Sequence, residues 1–300
     1  MLLKYLFNMM RRQVRICMNK KIAWVTDTSA YLDDAFVDQL NIHVLPVNVI
    51  FEDGPVREKV DLTLDQFYEK MRTTKTLPST SQPVFGEMVE LYKKLKEEGY
   101  SCGIAVHPTS LLSSTYESSV LAAKQADFPL YAIDSKIISY PMRKMLETGH
   151  TLASQGSSVE DIIKVLTEMT NHVELAGIPA SLTQLAKSGR VPGIVALIGN
   201  LLKLKLIVSF QNGRVVLKEK VRTYKRAKQY VNSLLRTDLT ASPFTEVAIV
   251  HSNNEQDAEL WKQELQAEFP LIHFIILPLS ASISVHTGEG TTGLSWVREV

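Results

Sequence analysis

Hydroxyl side chains crowd one short stretch of this chain. His107-Pro108-Thr109-Ser110-Leu111-Leu112-Ser113-Ser114-Thr115 holds five Ser or Thr residues among the seven positions 109–115. The stretch follows the apolar run Gly103–Val106 and precedes a helical pattern that begins near Tyr116. It therefore lies where a strand ends and a helix starts. The first turn of a helix has unpaired N–H groups and the positive end of its dipole, so anions settle there. Hydroxyls add donors without adding charge, which suits a carboxylate or phosphate that must come and go. Capping of the helix by Ser or Thr is the competing reading.

Two further segments carry similar chemistry. Leu77-Pro78-Ser79-Thr80-Ser81-Gln82-Pro83 is a polar loop enclosed by two prolines, with little freedom to lose on binding a ligand. His286-Thr287 stands at the entrance to Gly288-Glu289-Gly290-Thr291-Thr292-Gly293. That run has the letters of G-x-G-x-x-G, but a dinucleotide fingerprint must open a helix inside a βαβ unit. The few residues that follow leave no space for one, so the glycines read as a tight turn whose N–H groups can approach a ligand. Ser113, His286 and Asp27 make a nucleophilic triad conceivable, and a serine hydrolase or acyltransferase using Ser113 and His286 is the alternative function. No G-x-S-x-G elbow supports it. The seven histidines show no metal-ligand spacing and there is no Walker A sequence, so neither a metal nor a cofactor is expected.

Composition excludes other classes. The 300 residues are 45% hydrophobic and 22% charged, as in a globular chain able to bury a substantial core. A net charge of +1 gives no basic excess for nucleic acid. Cys17 and Cys102 match no metal motif, which points to a reduced cytoplasmic compartment. Residues 1–20 are an apolar run followed by Arg11, Arg12 and Arg15, the reverse of a secretory signal. We read them as a disordered extension, capable at most of transient membrane contact.

The elements that must position these groups alternate. Ile22–Val25 reads as a strand, followed by a polar turn and a helix through Phe36 and Leu40; Val44–Phe51 reads as the next strand. Thr63-Leu64-Asp65-Gln66 has the form of a capping box, with Leu64, Phe67, Tyr68 and Met71 on one helical face. Met88, Leu91, Tyr92 and Leu95 form another core stripe, and Gly99 stops that helix. With strands at Gly103–Val106 and Tyr131–Ile133, residues 21–156 read as an α/β domain on a mainly parallel sheet flanked by helices. Ligands bind beyond the carboxyl ends of such strands. Asp27–Ser29, Thr109–Ser114 and Asp134-Ser135 all fall there. The grammar changes after Gln155-Gly156, where Ser157 with Glu160 suggests a capping box. Leu204–Phe210 and Arg214–Lys220 around Asn212-Gly213 predict a hairpin. Helices at Tyr224–Leu235 and Asp257–Phe269 alternate with strands at Val247–His251 and Ile272–Leu277. Residues 157–300 thus read as an α+β domain with a mixed or antiparallel sheet. Lys187-Ser188-Gly189-Arg190 reads simply as a helix end, and Arg222, Lys225, Arg226 and Lys228 as a solvated basic face.

The segments also resemble a known family. Thr26–Leu32 resembles the opening "TDSTADL" of the DegV family, Thr80–Pro83 its "TSQPS", and Thr109–Ser118 its "SS-x-LSGTYQS". Ile133–Lys136, Lys187–Arg190, Val221–Ala227 and His286–Gly290 are similar to its "IDS", "KGGR", "RT-x-KKA" and "HTGPG". Ser114 stands where that family has glycine, and Glu289 where it has proline. The resemblance implies two α/β-type domains with a long-chain fatty acid, of the palmitate or oleate class, between them. It implies a FakB-like carrier that presents the carboxylate to a FakA-like kinase subunit for acyl-phosphate formation. The acyl phosphate would then pass to a phosphate acyltransferase of phospholipid metabolism. Thr80, Ser81, Ser110, Ser113, His286, Thr287 and Gly288 would hold the carboxylate, which would favour a protonated His286. Arg222 would lie on the kinase-docking surface. The chain itself would be a carrier and not an enzyme.

Overall fold

The computed structural model describes residues 21–191 and 204–299; the expected extension at 1–20 lies outside them. The first half opens with β1 (Ile22–Asp27), a 3-10 turn at Thr28–Ala30, α1 (Asp34–Leu40) and β2 (Ile42–Leu45). It continues through β3 (Asn48–Phe51), β4 (Gly54–Arg57), α2 (Leu64–Thr73), β5 (Ser79–Ser81) and α3 (Phe85–Glu97). Then come β6 (Cys102–His107), α4 (Thr115–Gln125), β7 (Leu130–Asp134), α5 (Tyr140–Ser154) and α6 (Val159–Met169). Strands order β2-β1-β6-β7, all parallel. β6 is central and buried along its whole length, which is why it reads as one continuous apolar run. Trp24, Ile104 and Val106 pack under α5 and α6 on one face, while Ala23, Val25 and Ala105 meet α3 and α4 on the other. The parallel α/β reading therefore holds, with the three polar loops at one sheet edge.

Three details differ from expectation. Val44–Phe51 is two strands, not one: Pro46 cannot donate to a ladder, and the chain leaves the parallel sheet there to start a separate one. That small antiparallel sheet, β4-β3-β5, takes part of the proline-bounded loop as β5, with Thr80 opposite Val49. The capping box at Thr63 and Gln66 is present, but α6 is capped by Ser158, which accepts from Asp161 N, and not by Ser157. Moreover, Val159, Ile162, Leu166 and Met169 of α6 belong to the first core. By packing, α6 therefore joins the first core although it follows residue 156.

The second half contains β8 (Val173–Ile178), α7 (Leu182–Lys187), β9 (Lys205–Gln211), β10 (Arg214–Val221) and α8 (Tyr224–Ala241). β11 (Glu246–His251), α9 (Glu255–Glu268), β12 (His273–Pro278), α10 (Ala281–Thr287) and β13 (Thr292–Val297) follow. The mixed sheet runs β10-β9-β8-β13-β11-β12, as the α+β reading requires. Asn212 and Gly213, both at positive φ, close the predicted two-residue hairpin. Side chains alternate across the sheet. Ala176, Ile207 and Ile249 pack against Val231, Leu235, Trp261 and Leu265 of α8 and α9. Leu175, Gly177, Val208 and Val250 point the other way. Among the described residues no helix is long and apolar enough to cross a membrane.

Candidate functional site

The sheet face that α8 and α9 do not cover lines a cavity of about 380 Å³ against the carboxyl edge of the parallel sheet. This volume is of the size used for small organic ligands. Its apolar wall is formed by Leu175, Val208, Phe210 and Val215 of the mixed sheet together with Leu185 and Val191. Asp27, Ser29, Thr80, Ser81, Ser113, Ser114, Ser282, His286 and Thr287 add polar groups from the loops and from α10.

Each half supplies some of these groups. The 3-10 turn follows β1 directly, so Asp27 and Ser29 sit at a strand end. β5 pairs with β3, whose Val49 and Phe51 pack with Val285 of α10. This brings Thr80 to His286, with Thr80 Oγ1 and His286 Nε2 at 2.8 Å. α10 is capped by Ser280, and the N–H groups of Ala281 and Ser282 donate to the buried carboxylate of Glu58. At its other end Gly288 has φ 90°, and a Cβ there would lie 2.7 Å from both Ser181 and Gln184 side-chain atoms. Glycine is required at that turn. The hairpin tip is held to the first half by Thr109 Oγ1, which donates to Gly213 O at 2.9 Å.

Electrostatics at the site follow from burial. His286 is pushed down to about 4, chiefly by desolvation and further by Arg190, so its imidazole is neutral at pH 7 before any anion arrives. Burial pushes Asp27 up to about 6, against smaller opposing pulls from its hydrogen bonds with Ser29 and from the nearby Thr115 hydroxyl. Glu58 rises to about 7 for the same reason, despite donation from Thr28, Ala281 and Ser282.

Five of the expected site residues, Thr80, Ser81, Ser113, His286 and Thr287, line the cavity. Ser110 and Gly288 do not. Ser110 Oγ donates to Asp134 Oδ2 at 2.6 Å, so its hydroxyl proton is already committed. Gly288 shapes the turn instead. Arg222 is exposed beyond the end of β10 and outside the cavity. Ser114 adopts φ −84°, ψ 10°, a conformation open to any residue, and its side chain makes no cap bond. Glu289 is turned away to Arg72 and Asn253. The G-x-G-x-x-G run leads into β13, not into a helix. Asp27 and Arg190, which the expected head-group set omits, both line the cavity; in the sequence Asp27 reads as a triad acid and as part of a strand-end loop, and Arg190 as a helix end. The relay needed by a serine nucleophile is not formed. His286 Nε2 is engaged by Thr80, Ser113 Oγ by Thr115 Oγ1 at 2.9 Å, and Asp27 Oδ1 by Ser29. Among the described residues no group of three or more His, Cys, Asp or Glu side chains could hold a metal ion.

The family model of DegV, described as an uncharacterised protein family, matches residues 21–299. The chain belongs to the DegV family. Its curated relatives include Protein DegV of Bacillus subtilis, 35% identical over 277 residues, which span 92% of this chain and 98% of the relative. The crystal structure of DegV from Bacillus subtilis, described as a fatty acid binding protein, superposes with a TM-score of 0.86 at 35% identity, covering 94% of this chain and 100% of that one. A fatty acid binding DegV family protein from Streptococcus agalactiae also gives a TM-score of 0.86, at 28% identity with 94% and 100% coverage. The DegV fold thus accounts for both the parallel and the mixed sheet of this chain.

Proposed function

We propose that this DegV family member holds a long-chain fatty acid in its cavity, as a carrier and not as an enzyme. The carboxylate would lie at Thr80, Ser81, Ser113, His286 and Thr287. The single observation that carries this reading is the cavity itself, an apolar wall joined to a polar rim drawn from both halves. The two solved relatives described as binding fatty acids support it. Transfer of a C16 chain out of water, at about 0.8 kcal/mol per CH₂, releases on the order of ten kcal/mol before association costs. A buried carboxylate needs hydrogen-bond donors to keep that gain, and the hydroxyls of the rim supply them. The hydrolase reading has no comparable support, because Ser113 and His286 each bond elsewhere.

The carrier reading extends to a partner. A FakA-like kinase subunit would phosphorylate the presented carboxylate, and Arg222, exposed outside the cavity, would dock it. A phosphate acyltransferase would then receive the acyl phosphate. The test of the first step is mass spectrometry of the denatured, extracted protein, with roughly stoichiometric fatty acid expected. Finding none, together with no thermal stabilisation by added oleate or palmitate, overturns the reading. For the second step, Arg222→Glu should abolish acyl-phosphate formation with kinase and ATP while leaving oleate binding intact.

A further inference from the structure

Asp27 has a polar atom that the fold leaves unused. The residue is fully buried and lines the cavity. Oδ1 accepts from both the N–H and the hydroxyl of Ser29. Oδ2 meets no hydrogen-bond partner among the described residues. A buried, unpaired carboxylate oxygen is costly. Its cost disappears if a ligand atom pairs with it, and the cavity is where such an atom would come from.

The ligand of the carrier reading is itself an anion, and two carboxylates cannot meet across a dry cavity with both ionised. One proton between them converts the repulsion into an O–H···O⁻ hydrogen bond, among the stronger kinds. The surroundings decide which group holds it. Thr115, which shares a hydrogen bond with Ser113, also bears on Asp27. The other titratable or charged groups nearby are engaged or lie elsewhere on the wall. Glu58 is held by Thr28 and the α10 N–H groups. His107, at the end of the adjacent β6, bonds Ser119. Asp134 takes Ser110. His286, neutral, bonds Thr80, and Arg190 bonds the carbonyl of Ser188.

We propose that Asp27 is the proton-carrying member of the head-group site: its carboxylic acid donates through Oδ2 to the anionic head of the bound acyl ligand. At neutral pH the proton comes from solvent, so that one is taken up as each ligand binds. This rests on the fatty-acid reading and deepens it, since an acid in this position selects for an anionic oxygen acceptor. The usual titration of Asp27, raised to about 6 by burial, leaves it ionised in the free protein at pH 7.5 and ready to gain a proton.

Calorimetry of oleate binding to the delipidated full-length protein, in buffers of different ionisation enthalpy, tests the proposal. At pH 7.5 the expected uptake is about one proton per oleate, and affinity should fall about twentyfold from pH 6.5 to 8. Asp27→Asn keeps a donor and should bind oleate with no proton uptake and no pH dependence over this range. Zero uptake by the wild-type protein overturns the proposal even if the variant does not fold. So does uptake that persists in Asp27→Asn, which would assign the proton to His286 or Glu58. Failure of the wild type to bind oleate or palmitate at any pH overturns instead the fatty-acid reading on which the proposal stands.

Discussion

Glu58 offers a sharp test of how burial and hydrogen bonding compete. Its carboxylate reaches from the first half to accept from Ala281 N, Ser282 N and Thr28 Oγ1, and it is almost wholly buried. Three donors favour the ionised form, whereas desolvation favours the neutral one and outweighs them, raising the group from 4.5 to about 7. A folded-state value above the unfolded one means that the folded protein holds a proton which the unfolded chain has released. The contribution to stability is complete below pH 4.5 and is lost as pH rises through 7. Between pH 5 and 8 the loss comes to about 2–3 kcal/mol. Asp27, raised to about 6, adds a loss of the same sign. His107 and His286, pushed down to about 3 and 4, act in the opposite direction over this range. The wild-type pH profile is therefore a poor readout, but these contributions cancel in a difference. Urea unfolding of wild type and Glu58→Gln at both pH values isolates Glu58. The advantage of wild type over the variant should shrink by about 2–3 kcal/mol on going from pH 5 to pH 8. A constant advantage would refute the reasoning. One that grows with pH would show that the three donors win.

Further outcomes follow from the same geometry. His286→Ala and Thr80→Val each remove a rim group and should weaken oleate binding about tenfold to a hundredfold, with Thr80→Ser restoring most of it in a calorimetric titration. Gly149→Ala would set a Cβ 2.7 and 2.8 Å from the Trp24 ring and 3.2 Å from Leu166. Urea unfolding should register a loss of about 1–3 kcal/mol from that overpacking. Glu289→Gln breaks an exposed pair with Arg72. It should cost less than about 1 kcal/mol and leave oleate affinity unchanged, whereas a tenfold change in affinity would mean that this charge reaches the cavity.

Much of the architecture is legible in residue order because its causes are local. The two-residue turn at Asn212-Gly213, the reciprocal cap of Thr63 and Gln66, and the apolar run of β6 each depend on neighbours a few positions away. So does the gathering of the 28–30, 108–114 and 135–139 loops at one edge, since parallel strands must all end on the same side. What failed locally did so where a distant partner intervened. Pro46 marks where the chain leaves one sheet for another, but only the pairing of β3 with β5 discloses the second sheet. Ser157 and Ser158 are equally good caps on composition, and the packing of Ile162 and Leu166 into the first core sets the helix that chooses between them.

The site divides along the same line. Residue types mark the 77–83, 109–115 and 286–290 stretches as suited to an anion, and the resemblance to the DegV family singles out Thr80, Ser113 and His286 within them. They do not tell which proton is already spent. Ser110 and Ser113 differ in their bonding because Asp134 takes the hydroxyl of one, while the other meets Thr115. Nor does an alternating apolar strand reveal what covers each face. Val208 and Leu175 look like ordinary core, and the sheet places them over a cavity because α8 and α9 cover only one side. Hydrophobicity is a property of each residue, while emptiness is a property of how whole elements meet. The folded molecule, not the order of its residues, makes the cavity and leaves Asp27, on its lining, with a buried oxygen that has no hydrogen-bond partner among the described residues.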